Sequence, residues 1–131
     1  MDKLTPGLRQ AAFLTALAHH LTAHPYLAAV RITGSDLQLA GVKLRPDEEG
    51  AALLAWADTL TAPTVAVRNI KDMAYVFVTG SAGPAQITVW TTVPGLLPAL
   101  TPPVQAGGPD RSVSLDQLRR LVAGLAGPRR G

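Results

Sequence analysis

The sequence predicts an α+β domain in which helices pack on a single, mostly antiparallel sheet, with the element order αββαβββα. Apolar residues make up 47% of the 131 residues and charged residues only 16%, which is enough for one buried core at this length. Apolar positions recur with helical spacing in three segments and alternate with polar positions in five others. The connections between these strands are too short for parallel crossovers, so antiparallel pairing is expected.

The first half of the chain is expected to contain a helix, a β-hairpin and a second helix. Pro6 begins an amphipathic stripe that ends before Pro25, which predicts a helix over 6–23. Alternation around a Gly-Ser-Asp turn predicts a hairpin over 29–39. Pro46, three acidic residues and apolar positions at helical spacing predict a helix from 46 to about 60.

The second half is expected to contain a three-stranded meander and a final helix. The strands are predicted at 64–68, 74–79 and 86–93. Residues 94–113 are rich in proline and glycine, which predicts a surface loop. Ser114 with Gln117 forms a capping box before an apolar stripe, which predicts a helix that Gly127-Pro128 ends. Residues 128–131 are expected to fray.

The domain organisation is expected to be one domain over residues 1–127. Residues 16–23 are similar in sequence to residues 55–62, at an offset of 39 residues. This internal similarity suggests a duplicated α-β-β unit, over about 8–42 and 47–80. Chance matches in an alanine- and threonine-rich chain explain the similarity equally well. The outcome for the fold is the same, because each unit ends in a hairpin.

The charge of the chain is unevenly distributed. The net charge is +3, but residues 1–110 carry seven Lys or Arg against eight Asp or Glu, whereas residues 111–131 carry five Arg against one Asp. The absence of cysteine excludes disulfides and thiolate metal sites. The N-terminal apolar run imitates a signal peptide but makes a better amphipathic helix, so a cytoplasmic protein is expected.

The strands carry the candidate binding residues. Arg31 and Arg68 are equivalent in the two similar units, and two arginines on one sheet face could hold a phosphate or carboxylate. They could equally be solvated strand positions. Tyr75, Phe77 and Trp90 also lie on strands and form an interface candidate if their face is open.

Two further sets of residues suggest other ligands. His20 and His24 have the i, i+4 spacing with which two imidazoles share a metal, although a structural role is the simpler explanation. Arginines of the C-terminal segment could contact nucleic-acid phosphates, or could simply suit the dipole of the last helix. This second set consists of Arg111, Arg119, Arg120, Arg129 and Arg130.

Several strings, among them residues 21–25 and 52–64 and Val89-Trp90-Thr91-Thr92, resemble small uncharacterised proteins of streptomycete-like actinobacteria. The resemblance implies a bacterial source and carries over no activity. The element order is also similar to that of roadblock-type dimerisation domains, whose sheets are used for protein contacts. This second similarity concerns the topology alone.

No nucleophile elbow, phosphate loop or metalloprotease motif occurs, so neither catalysis nor a cofactor is expected. Asp47, Glu48 and Glu49 could pair for acid-base work, but acidic residues in a first turn are explained more simply by the helix dipole. The first hypothesis is a non-catalytic protein-interaction or regulatory module of a bacterial partner, which is expected to form a homodimer. The alternatives are a DNA-associated accessory factor that uses the arginine-rich C-terminal segment, and a small-molecule or metal binder. No membrane association is expected.

Overall fold

The computed structural model describes residues 6–27, 30–33, 36–39 and 46–126. They form three α-helices, six strands and a short 3-10 helix. The helices are α1 (Pro6–Ala23), α2 (Pro46–Thr59) and α3 (Leu115–Ala126), and the 3-10 helix is Leu97–Ala99. The strands are β1 (Val30–Thr33), β2 (Asp36–Leu39), β3 (Thr61–Ile70), β4 (Met73–Ala82), β5 (Ala85–Thr92) and β6 (Arg111–Val113). The predicted α+β class is confirmed.

The six strands form one sheet in the order β1-β2-β5-β4-β3-β6. Four of the five pairings are antiparallel, and β2 with β5 is the parallel exception. A parallel pair needs a long connection, and here α2 and the β3–β4 hairpin lie between β2 and β5 in the chain. The parallel pairing therefore joins strands that are remote in sequence, while the hairpins remain antiparallel as expected.

Side chains on β3, β4 and β5 alternate between a buried and a partly exposed face. The buried face, here called the helix side, carries Val67, Val76 and Val89, each fully buried. These valines share one apolar core with Trp56 of α2 and Leu118 of α3. All three helices contact strands of the sheet, so the core lies in a single layer between the helices and one sheet face.

Tight connections hold the central strands in register. Gly83 has a φ of +60° between β4 and β5, as the first central position of a type II′ hairpin turn requires. Lys71 and Asp72 both have positive φ between β3 and β4, a type I′ pattern that glycine or asparagine usually fills. Gly80 packs directly against Leu60: a Cβ atom added at position 80 would lie only 2.7 Å from the Cβ of Leu60. That close approach lets β3 begin almost directly after α2.

The prediction of a surface loop over 94–113 needs correction. Leu96, Leu100 and Val104 are buried in the core, and residues 111–113 form β6, which pairs with β3. Asn69 holds the middle of the segment, because its Nδ2 donates to the Val104 carbonyl (2.8 Å) and its backbone carbonyl accepts from the Gly107 amide (3.1 Å). The prolines and glycines of this segment therefore lie in a chain that packs along the core rather than in a surface loop.

The two hairpins of the suggested duplication lie on opposite sides of β5. In each, the second strand is the inner one, and β2 and β4 run in opposite directions. A two-fold rotation about an axis through β5 would relate two such units. The duplication itself stays a prediction.

We expect Asn69→Ala to lower the free energy of unfolding by about 2 kcal/mol, because it removes partners from the Val104 carbonyl and from the Asp72 amide, which bonds to Asn69 Oδ1 at 2.9 Å. Urea denaturation measures the change. Gln105→Ala is the matched control, because the Gln105 side chain is exposed and surface substitutions usually change stability by less than about 0.5 kcal/mol. An equal, small effect in both variants would contradict the role of Asn69.

Candidate functional site

The sheet face opposite the helix side, here called the outer face, carries no helix of the described part of the chain. Its positions on β3, β4 and β5 are half-buried or exposed. They include three aromatic rings, while most of the other positions hold threonine, serine, alanine or glutamine. Ile70 and Met73 add apolar side chains at one end of this face. A cluster of aromatic rings on a face without a covering helix is the feature of this structure that most needs a functional explanation.

The rings of Tyr75, Phe77 and Trp90 form one cluster on the two central strands. Phe77 and Trp90 are direct cross-strand partners, with ring centroids 6.0 Å apart. Tyr75 stacks on Trp90 at 5.5 Å with an interplanar angle of 27°. Aromatic pairs in such offset arrangements are favourable beyond the area that they bury. The structure thus brings together the three aromatic residues that the sequence indicates.

Arg68 joins this cluster from β3. Its guanidinium lies 4.8 Å from the centroid of the Phe77 ring, within cation-π range. Asp110, just before β6, holds the same group through two bonds, from Nε to Oδ1 (2.8 Å) and from Nη2 to Oδ2 (3.0 Å). These bonds raise the pKa of Arg68 and lower the pKa of Asp110. The pairing of β6 with β3 positions Asp110, for which the sequence gives no signal.

Arg31 is not part of this cluster, which corrects the expectation of an anion site shared by two arginines. Three strands separate β1 from β3, so the two backbones lie about 19 Å apart at about 4.8 Å per strand spacing. The side chain of Arg31 lies outside the described residues. Arg68 is instead committed to Asp110 and Phe77.

His20 forms a second constellation, where α1 packs on α2. It is buried and its ring stacks on Trp56 at 5.6 Å. Its Nε2 lies 2.7 Å from Thr59 Oγ1, and Thr59 donates its only hydroxyl proton to the Trp56 carbonyl at 2.7 Å. Thr59 can therefore only accept from the ring, so the proton of the neutral imidazole is on Nε2. Burial, and secondarily the nearby charge of His24, lower the pKa of His20.

The two histidines of the predicted metal pair are close in space, but the described residues offer them no third ligand. The His20 and His24 ring centroids are 4.7 Å apart, and the Tyr26 hydroxyl lies 3.5 Å from His24 Nδ1. Across the described residues, no three or more His, Cys, Asp or Glu side chains are grouped to hold a metal ion. With Nε2 bonded to Thr59, His20 is held as a structural residue of the helix interface.

The C-terminal arginines do not form one surface in the described structure. Arg119 is bonded through both terminal nitrogens to Asp58 of α2, which raises the pKa of Arg119. Arg111 pairs with Val67 at the sheet edge, whereas Arg120 is exposed on α3. Arg129 and Arg130 lie outside the described residues. Two of the nearby carboxylates, Asp58 and Asp110, are thus already used to neutralise guanidinium groups.

No protein-family model matches the chain, and neither a curated protein nor a solved structure matches it. The function must therefore be argued from the chain's own geometry. None of the helices in residues 6–27 and 46–126 is long and apolar enough to cross a bilayer.

We predict that His20 makes the fold sensitive to acid. Because the pKa of His20 is lowered from 6.5 in the folded state, the unfolded state binds the proton more tightly, so stability present above pH 6.5 is lost as the pH falls through the folded pKa. Urea unfolding at pH 7.5 and pH 5.5 measures this loss.

His20→Gln, which keeps a donor for Thr59, should show a smaller loss between the two pH values. The control is His19→Gln, because His19 is exposed on the same helix. Equal pH dependence of the wild type and His20→Gln would contradict the assignment.

Proposed function

We propose that this protein is a non-catalytic interaction module that self-associates through its outer face to form a two-fold dimer. The observation that carries the proposal is the cluster of Tyr75, Phe77 and Trp90 at the centre of an uncovered face. The partner in this proposal is a second copy of the chain. The cytoplasm of a bacterium is the expected setting.

The anatomy of the outer face supports a protein partner. The aromatic cluster lies on β4 and β5, the two middle strands of the six. Most of the outward positions around it are small and polar, with Ile70 and Met73 as apolar residues at one end. Thr79 and Thr88 satisfy each other by a hydrogen bond of 2.9 Å. An aromatic centre with a polar rim is the usual composition of a protein interface, and buried aromatic residues usually carry most of its binding energy.

The charge of the outer face supports a second copy in particular. Arg68 is the only charged side chain at the outward positions of β3, β4 and β5, and Asp110 neutralises it. Two such faces can approach without repulsion between like charges. A two-fold axis near the centre would place each aromatic cluster against its equivalent, as isologous interfaces do.

The area of the sheet is sufficient for a dimer. The strands are 3 to 10 residues long, so at about 4.8 Å between strands and 3.3 Å per residue the sheet measures about 600 Å². Two copies would bury about 1,200 Å² in total, at the lower end of the range for specific interfaces. A reversible dimer is therefore expected.

Nucleic acid is less favoured as a partner. Stacking platforms for single strands combine aromatic rings with a positive groove, but the arginine beside these rings is paired with Asp110. Arg119 is likewise paired with Asp58. Two of the arginines nearest to a possible nucleic-acid surface are thus neutralised by carboxylates.

We expect sedimentation equilibrium to give twice the mass of one chain at high concentration. Trp90→Glu and Thr92→Glu should each raise the dissociation constant at least about tenfold, because each would bury a carboxylate without a partner. Leu14→Glu is the control, because Leu14 is 39% exposed on α1; it should leave the dissociation constant unchanged. Circular dichroism establishes that the variants are folded.

Three results would contradict the proposal. The first is a wild-type chain that stays monomeric up to about 1 mM, far above the micromolar range of typical reversible dimers. The second is a dimer that the folded Thr92→Glu variant leaves intact. The third is a dimer that is lost only in Leu14→Glu, which would move the contact to the helices.

A further inference from the structure

A groove lies between α1 and the turn that joins β4 to β5, at one end of the helix side. It has a volume of about 570 Å³, which is in the range of small-molecule sites. Ala12 and Ala16 form one wall and Gly83 and Pro84 the other. Small side chains on both walls create the space. The groove is independent of the outer face.

Among the described residues, none that lines this groove carries a carboxylate, an ammonium or a guanidinium group. A charged ligand would lose its hydration there without gaining a counter-ion. The lining is mostly apolar, with Thr15, His19 and His20 as its polar members. An uncharged molecule with an apolar body is therefore the kind of ligand that the groove suits.

His20 gives the groove a hydrogen-bond acceptor. The residue is 8% exposed, and Thr59 fixes the proton of its neutral ring on Nε2, which leaves a lone pair on Nδ1. Nδ1 has no hydrogen-bond partner among the described residues. Every fully buried side-chain nitrogen or oxygen of those residues does have a partner, so Nδ1 is not fully buried. Nδ1 is thus accessible, on a residue that lines the groove.

We propose that this groove binds a small uncharged molecule with an apolar ring and one hydroxyl or N–H group, which donates a hydrogen bond to Nδ1 of His20. The Thr59 hydroxyl acts as a positioning group, because it fixes the tautomer. The apolar body packs between Ala12 and Pro84. Phenol is the simplest molecule of this class.

The test compares phenol with anisole, which has the same ring but no proton to donate. At pH 7.5, nuclear magnetic resonance titration of the ¹⁵N-labelled protein should show phenol shifting the His20 ring nitrogens and the amides of Ala12 and Gly83. The dissociation constant of phenol should be at least about fivefold lower than that of anisole, which is the usual effect of one hydrogen bond.

Matched variants locate the binding. Ala12→Leu fills the groove from an exposed helix position and should abolish the phenol shifts, whereas Ala11→Leu adds the same side chain at an exposed position outside the groove and should leave them unchanged. Equal affinity for phenol and anisole, no shifts with either probe, or phenol binding retained in a folded Ala12→Leu variant would overturn the proposal. The dimer proposal is unaffected by each of these results.

Discussion

The one-sided covering of the sheet is the constraint on which the other features of the structure depend. Three helices and the segment after β5 all bury apolar residues against the helix side, where Val67, Val76 and Val89 form an apolar core with Trp56. Because strand side chains alternate, filling one face in this way leaves every second residue of the central strands facing outward. The aromatic cluster occupies those outward positions, so the interface candidate is a direct consequence of how the core is built.

Hydrogen bonds from polar side chains attach the proline-rich segment and α1 to the rest of the domain. Asn69 ties the proline-rich segment to the end of β3 through the Val104 carbonyl, and that segment then delivers Asp110 to Arg68. On the other side, Thr59 joins α2 to His20 of α1. Each is a hydrogen bond between residues far apart in sequence. The Asn69 bond is buried, so the loss of either partner would cost stability. These contacts therefore specify where the helices and the long segment lie.

The sequence predicts much of the local structure, because local signals determine it. The limits of α1, and Ser114 as the cap of α3, are confirmed: Ser114 Oγ accepts from the Gln117 amide at 3.0 Å. β3 and β4 are longer than predicted, because Ala62-Pro63 and Gly80-Ser81 lack apolar alternation. β6 has only three residues in a run of backbone breakers, so its pairing with β3 has no local signature. The strands are apolar at both alternations, and only the tertiary structure distinguishes their two faces.

The central claim is that Phe77 and Trp90 of one copy meet the outer face of another. The most direct measurement is an isotope-filtered nuclear Overhauser experiment on a mixture of labelled and unlabelled chains at a concentration where the dimer predominates. The account predicts cross-peaks between copies that involve the ring protons of Tyr75, Phe77 and Trp90. Intermolecular cross-peaks that come from α1 or α3 instead, with none from these rings, would contradict it.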